Sequence, residues 1–214
     1  MLGGGAVERF QLGLNQTFQI APSRRDTWEA SVDRDLVERA RKGDRDAFAG
    51  LVHQVSNGLY AIAYRILRDT GLAEDALQSA LVSAWRQLPH LRDTDRFDAW
   101  LHRVLVNACY IEVRRNRRWA ANVRILPDHQ GGTSDDSRSV ADRDELERAF
   151  RRIPLDQRAV FVLHHYVGLP LVEIAETLGI PAGTARSRLH YATRALRTAV
   201  EAGRERPSEK EGLA

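Results

Sequence analysis

A short apolar helix, a glycine turn and a helix rich in basic and hydroxyl side chains follow one another near the carboxyl end of the chain. The apolar residues Ile174 and Leu178 precede Gly179, and the next helix carries polar and basic side chains: Thr184, Arg186, Ser187, Arg188 and His190. Arginine can donate two parallel hydrogen bonds to a guanine edge, and hydroxyl groups can bond bases or phosphates. The pattern predicts a helix-turn-helix whose second helix enters the major groove. The alternative is a helical hairpin with a solvated basic face.

A second basic segment lies earlier in the chain and has a different composition. At spacings of four, three, four and three residues, side chains recur that would lie along one ridge of a helix: Arg103, Asn107, Tyr110, Arg114 and Arg117. Such a ridge can neutralise phosphates, bond a base edge and stack on an unpaired base, which are the requirements of single-strand recognition. With Arg115 and Arg118 added and Glu112 subtracted, the charge from 101 to 118 is +4. An amphipathic helix with a basic solvated side is the alternative.

Helices must position both segments, because apolar residues recur at helical spacing along the chain and no alternating strand pattern is evident. Asp44 is expected to cap a long helix that Thr70 and Gly71 interrupt. Asp95 is expected to cap the helix that carries the basic ridge. The apolar stripe of that helix is expected to comprise Phe97, Trp100, Leu101, Val104, Leu105 and Ala108. The second helix of the helix-turn-helix is expected to start near Thr184, with an inward stripe of Ala185, Leu189, Ala192 and Leu196. The sequence therefore predicts an all-α protein.

The helical segments fall into two groups. We expect a disordered extension over 1–30, a first helical domain over 31–118, a flexible linker over 119–141, a second helical domain over 142–200 and a tail over 201–214. The linker assignment depends on Pro127, on the pair Gly131 and Gly132, and on the polar run that follows them.

Composition excludes several classes of function. Cys109 is the single cysteine of the 214 residues, so neither an intramolecular disulfide nor a cysteine-based zinc cluster is possible, and the net charge is only +3. No segment is long and apolar enough to span a bilayer or to act as a secretory signal, which predicts a cytoplasmic protein without membrane insertion. We find no phosphate loop, no nucleophile with a placed base and no metal-ligand spacing. His164 and His165 are adjacent and are expected to diverge. We therefore predict no catalytic residue, no metal and no cofactor.

The order of these segments resembles the small bacterial RNA polymerase sigma factors of the extracytoplasmic-function group. The resemblance covers roughly 33–118 and 142–197. It depends on the run Ala73 to Gln78, on the run Phe97 to Arg115, and on the stretch from Ile153 to Leu189. It implies a domain similar to sigma region 2 followed by a helix-turn-helix domain similar to sigma region 4, and hence promoter-specific transcription initiation.

The resemblance also implies roles for individual residues. Asp75 and Gln78 match the helix that docks on the clamp helices of core RNA polymerase; a solvated helix surface is the alternative for these two. The helix that carries Asn107, Arg114 and Arg115, with the preceding loop 91–96, matches the part of such factors that reads the minus-ten element and holds a flipped base. The second domain matches the one that reads the minus-thirty-five element and touches the polymerase flap. Relatives are commonly held inactive by an anti-sigma factor, so promoter DNA, core polymerase and an anti-sigma factor are the expected partners.

Two rival classes differ from this interpretation in what they require. A DNA-binding repressor or response regulator needs the helix-turn-helix, but it needs neither the upstream basic ridge nor a linker between two helical domains, and it would favour a dimer. An enzyme would need a catalytic or metal-ligating constellation that the sequence does not display.

Overall fold

The structure is a computed structural model that describes residues 32–122 and 139–204. Within these ranges the chain forms eight α-helices and no strand. Their bounds are α1 Arg34–Arg41, α2 Arg45–Leu67, α3 Thr70–Gln87, α4 Phe97–Asn122, α5 Ser139–Arg152, α6 Leu155–Val162, α7 Leu171–Leu178 and α8 Ala182–Arg204. The all-α prediction is confirmed. The predicted extension over 1–30 and most of the predicted tail lie outside the described residues.

The first domain begins with two capped helices. The Asp33 carboxylate accepts a hydrogen bond from the Asp35 amide at the start of α1, and Asp44 accepts from the amides of Asp46 and Ala47 at the start of α2. Gly43 adopts a φ of 94° between the two helices, a conformation that glycine reaches without steric cost. The predicted cap at Asp44 is therefore present.

The interruption after α2 falls earlier than predicted. α2 ends at Arg68, whose φ of 56° is left-handed, and the Asp69 carboxylate caps α3 by accepting from the Leu72 amide. Thr70 and Gly71 form the first turn of α3, so the prediction that they break the helix is wrong. A helix N-terminus tolerates glycine when a side-chain cap is present.

The helix that carries the basic ridge is α4, and its start also differs from the prediction. Asp93 caps a short 3₁₀ turn, Thr94–Arg96, by accepting from the amide of Asp95, and α4 follows directly from Phe97. Asp95 is thus an exposed residue of the turn and not the cap. Along α4, the predicted stripe from Phe97 through Leu101, Leu105 and Ala108 is buried, and α3 and α4 pack closely against each other.

The second domain contains α5 to α8, with a π-helical turn, Leu163–Val167, after α6. α7 ends at Gly179, whose φ is 64°, and the Ile180 amide donates to the carbonyl oxygen of Ala175. This glycine end reverses the chain so that α8 can pack on α7. The helix-turn-helix prediction is confirmed in its geometry, and its second helix begins at Ala182, two residues before Thr184.

The two domains lie against each other. α2 packs on α6 and on the π-helical turn, and α4 packs on α7. The buried side chains of both domains form one continuous hydrophobic cluster. α4 runs to Asn122 and α5 begins at Ser139, so helical residues extend into both ends of the predicted linker, whose residues 123–138 lie outside the described ranges.

Candidate nucleic-acid interface

The basic ridge lies along α4 on the side left uncovered by the first domain's core. Arg103, Asn107, Arg114 and Arg117 are exposed, and Tyr110 is half-buried. The buried residues Val106 and Cys109 show that α4 is covered on more sides than the predicted stripe, because helices pack against it from both domains. The ridge is nevertheless continuous over about four turns of helix.

The helix-turn-helix presents its predicted residues in two directions. Arg186, Ser187 and His190 are exposed, whereas Thr184 is half-buried. Arg188 turns toward α6, where its Nε donates to the Asp156 carboxylate over 2.9 Å. Ala185, Ala192 and Leu196 face inward and are fully buried. The face of α8 that remains open to solvent is therefore polar and basic.

Most of the basic ridge and one residue of the helix-turn-helix set, Arg188, line a common cavity. It has a volume of about 500 Å³, and its walls come from α4 on one side and from the second domain on the other. Four of its residues belong to the basic ridge: Asn107, Tyr110, Arg114 and Arg117. The opposite wall includes Arg188, Asp156 and Ile180.

The chemistry of this cavity is that of phosphate and base recognition. Burial raises the pKa of Tyr110 to about 12, and the charges of Arg188 and Asp156 are close enough to act on it. The phenol is therefore neutral at physiological pH and keeps both a flat face for stacking and a hydroxyl donor. The neighbouring arginine side chains supply positive charge.

The residues expected to contact polymerase lie on a different face. Asp75 and Gln78 are exposed on α3, one turn apart. The Asp75 carboxylate pairs with Arg115 over 2.9 Å. Arg115 therefore lies beside the α3 surface and is not among the residues that line the cavity.

A buried carboxylate that the sequence analysis missed anchors this pair. Glu112 is 1% exposed, accepts a hydrogen bond of 2.8 Å from the Ser79 hydroxyl, and pairs with the Arg115 guanidinium over 2.7 Å. Its position three residues before Arg115 in a basic run was the available signal. A buried carboxylate requires partners, and Ser79 and Arg115 provide them.

Charged contacts between the domains were also missed. Arg68 donates through Nε to the Glu147 carboxylate over 2.8 Å and makes a second hydrogen bond from its terminal nitrogen. The Arg65 guanidinium lies 3.8 Å from the centroid of the Tyr166 ring. These partners are separated by a predicted linker in sequence, so no local pattern could have paired them.

The part of the chain that the structure describes holds no group of three or more histidine, cysteine or acidic side chains placed to bind a metal.

His164 and His165 do not diverge as sharply as predicted, since both are half-buried and their ring centroids are 4.9 Å apart. Burial lowers the pKa of His165 to about 4, where its ring packs on Phe161. Cys109 is buried, and burial raises the pKa of its thiol to about 12. None of the described helices is long and apolar enough to cross a membrane.

Comparison with known families matches both domains in order. The Sigma-70 region 2 family matches residues 51–119, and the Sigma-70 region 4 family matches residues 143–196. The first match contains α3 and the basic ridge, and the second contains α7 and α8 as far as residue 196.

Individual relatives align over most of their length. The RNA polymerase sigma-H factor of Pseudomonas aeruginosa is 30% identical over 79% of this chain and 94% of its own. The ECF RNA polymerase sigma factor SigL of Mycobacterium tuberculosis is 36% identical over 67% of this chain and 82% of its own. The solved structure of CnrH in complex with the cytosolic domain of CnrY superposes with a TM-score of 0.56 at 26% identity, covering 79% of this chain and 97% of that one.

Proposed function

Because this chain belongs to the extracytoplasmic-function group of RNA polymerase sigma factors and directs promoter-specific transcription initiation, we propose that its basic ridge reads the minus-ten element and its helix-turn-helix the minus-thirty-five element. The observation that carries the proposal is the presence of two helices with exposed basic and polar side chains, α4 and α8, in the order of the two family matches. A repressor would require only the second of them.

Strand opening is assigned to the ridge on chemical grounds. Extruding a base from a duplex costs a few kcal/mol, which stacking and hydrogen bonds to the extruded base must offset. Tyr110 offers a stacking face worth roughly 1 to 3 kcal/mol per base, and Asn107 offers an amide that can both donate and accept. Arg114 and Arg117 lie one and two turns further along the ridge, where they can neutralise the backbone of the same strand.

Duplex reading is assigned to the first turns of α8. Arg186 and Ser187 are exposed there, whereas Arg188 is held by Asp156. We therefore assign the base contact to Arg186 first, and Arg188 contributes once it leaves Asp156. Thr184 and His190 flank this pair and provide phosphate contacts.

Core polymerase is the partner assigned to the exposed face of α3. Asp75 and Gln78 offer a carboxylate and an amide on one side of that helix. Replacing either by alanine should weaken association with core polymerase. Gln87→Ala is the matched control, because Gln87 is also exposed on α3 but lies about 120° around the helix from Asp75 and about 180° from Gln78. An equal loss in all three variants would contradict the assignment.

An anti-sigma factor is the remaining proposed partner of this chain. A solved structure of similar fold holds the sigma factor RpoE in complex with the anti-sigma factor NepR from Bartonella quintana; at 24% identity and a TM-score of 0.57 the likeness concerns the fold alone. Loss of promoter-dependent transcription on adding a protein that co-purifies with the full chain, with recovery when that protein is removed, would test this partner.

Transcription with purified components tests the function as a whole. Core polymerase supplemented with the full chain should yield promoter-dependent run-off transcripts from a library of genomic fragments, and core polymerase alone should not. The absence of any such product over the library, with the protein folded and bound to polymerase, would contradict the proposal.

Two pairs of variants then test the residue assignments. Asn107→Ala should reduce open-complex formation without reducing polymerase binding, and Asn116→Ala on the exposed side of the same helix should leave both unchanged. Arg186→Ala should weaken promoter binding by about 1 to 3 kcal/mol and relax base preference in the minus-thirty-five element. Arg194→Ala, two turns along α8, should not relax that preference. Equal loss of polymerase binding in the Asn107 variant would indicate misfolding instead.

A further inference from the structure

The cavity between α4 and the second domain has the size of a small-molecule site. Its volume of about 500 Å³ lies within the range of about 300 to 1,000 Å³ that is typical of ligand pockets. Besides burial, which raises it, the charges of Arg188 and Asp156 affect the pKa of Tyr110 across the cavity. The two walls are therefore close enough for one small ligand to contact both.

The charged side chains that line the cavity favour an anion. Three guanidinium groups, those of Arg114, Arg117 and Arg188, line it together with one carboxylate, that of Asp156, which leaves a net charge of +2. A phosphate monoester carries a charge of about −1.5 to −2 at neutral pH and offers three acceptor oxygens. One such group would balance the charge of the walls and would accept charge-assisted hydrogen bonds from the guanidinium groups.

One of these guanidinium groups is held by a carboxylate that an anion can replace. The Arg188 Nε donates to the Asp156 carboxylate over 2.9 Å, and the two side chains are 25% and 41% exposed. A partly exposed pair of this kind contributes little to stability, and a guanidinium has five N–H donors. The Asp156 carboxylate therefore competes with a bound phosphate for Arg188 without blocking it.

The remaining side chains of the lining suit a flat heterocyclic ring. Apolar side chains form part of the wall opposite α4: Pro154, Leu155, Leu178 and Ile180. On α4 itself, the half-buried Tyr110 offers an aromatic ring, and Asn107 offers an amide that can both donate and accept. Nucleic-acid bases stack on aromatic side chains whatever their identity, because every base has a π-face. Groups that bind a base and groups that bind a phosphate thus line the same cavity.

We propose that this cavity binds a free nucleotide with a terminal phosphate monoester, whose base contacts Tyr110 and Asn107 and whose phosphate contacts the arginine side chains. The proposal goes beyond promoter reading, which concerns nucleotides joined in a strand. An internal nucleotide of a strand carries a phosphodiester with one negative charge, whereas the charge of the walls matches a monoester. The site follows from the cavity and does not depend on the proposed function.

Calorimetric titration of the full chain tests the site directly. Adenosine 5′-monophosphate and guanosine 5′-monophosphate should bind with Kd values below about 1 mM. Adenosine, guanosine and inorganic phosphate each lack half of the ligand and should bind at least about tenfold more weakly. No binding of either monophosphate up to about 1 mM, or equal binding of inorganic phosphate, would overturn the proposal.

A strand of DNA is the other source of the same chemistry, and a trinucleotide without terminal phosphates represents it. The trinucleotide should bind more weakly than the monophosphates, because it offers only phosphodiesters. Binding of the trinucleotide without binding of the monophosphates would overturn the proposal and assign the cavity to the promoter strand.

A variant with higher affinity separates the site from general damage, because misfolding does not strengthen binding. Asp156→Asn removes the carboxylate that holds Arg188 and should tighten binding of adenosine 5′-monophosphate about threefold or more. Glu201→Gln is the matched control, since it removes the same charge from an exposed position on α8 outside the cavity. Arg188→Gln combined with Asp156→Asn should abolish the gain. No gain in Asp156→Asn, or an equal gain in Glu201→Gln, would overturn the assigned phosphate contact.

Variants with lower affinity assign the two halves of the ligand. Arg117→Gln should weaken binding of adenosine 5′-monophosphate about tenfold, whereas Arg118→Gln removes the same charge outside the cavity and should not. Tyr110→Ala should also weaken it about tenfold, and Tyr110→Phe, which keeps the ring, should retain the parent's affinity. Equal losses in the two arginine variants, or full affinity in Tyr110→Ala, would overturn the site. Failed transcription would instead contradict the proposed function and would leave the calorimetric result intact.

Discussion

A buried histidine at the junction of the domains makes stability depend on pH. His102 on α4 is 1% exposed, and burial lowers its pKa from 6.5 to about 4. The folded protein therefore holds a neutral imidazole, and the unfolded chain takes up a proton first as the pH falls. The stabilisation is complete above pH 6.5 and is lost progressively as the pH falls toward about 4.

The magnitude follows from the two pKa values. A difference of about 2.5 units corresponds to roughly 3 kcal/mol in total, at about 1.4 kcal/mol per unit. At pH 5 the unfolded chain is mostly protonated at this site and the folded protein is not, so about 2 kcal/mol of stability should be lost relative to pH 7.5. Carboxylates nearby, including Asp98, Glu173 and Glu176 on the walls of a neighbouring cavity, favour the charged imidazole, yet burial dominates.

Urea unfolding of the parent protein and of His102→Gln at pH 7.5 and pH 5 measures the contribution of His102 to the pH dependence of stability. The drop in the free energy of unfolding between the two pH values should be about 2 kcal/mol smaller in the variant, because other titrating groups contribute equally to both proteins. His90→Gln makes the same side-chain replacement at an exposed position and is the control for the substitution itself. An unchanged drop in His102→Gln, or an imidazole proton resonance of His102 that titrates near 6.5, would refute the reasoning.

Three further changes probe packing, backbone and hydrogen bonding by urea unfolding at pH 7.5. Phe161→Ala should lower the free energy of unfolding by about 3 to 5 kcal/mol, since Phe161 is 1% exposed. Val82→Ala on the open side of α3 should lower it by less than about 0.5 kcal/mol. Similar losses in the two variants would contradict the burial argument. Gly179→Ala should lower the free energy of unfolding by about 1 to 2 kcal/mol, because the φ of 64° is unfavourable for alanine. The added methyl group meets no atom closer than 3.8 Å, so the loss would come from the backbone alone. A stabilised variant would exclude the left-handed turn. Ser79→Ala should cost about 1 to 3 kcal/mol by leaving the buried Glu112 carboxylate short of a donor, and no loss would show that the hydrogen bond is dispensable.

Local features of the chain were predictable from the sequence. Helix periodicity fixes which side of α4 and α8 is apolar, so the stripe through Leu101 and Leu105 and the inward residues Ala185 and Leu196 followed from spacing. Gly179 marked the helix end because only a residue without a side chain adopts positive φ at little cost. Cap positions were predicted less well. Asp44 caps its helix as expected, but Asp93, and not Asp95, caps the 3₁₀ turn that leads into α4. Asp69 caps α3, so that Thr70 and Gly71 begin that helix and do not break one. Several neighbouring aspartates could each satisfy the same amides, and local spacing does not choose among them.

Sequence alone determined that the chain is helical, that it has two domains, and that each carries a basic helix suited to nucleic acid. Only the tertiary structure decided which charges meet. Arg68 and Glu147 are 79 positions apart, and Arg96 and Glu176 are 80 apart. Residues so distant share no helical period, so their pairing is set by how the two domains pack and by which side chains that packing takes out of water.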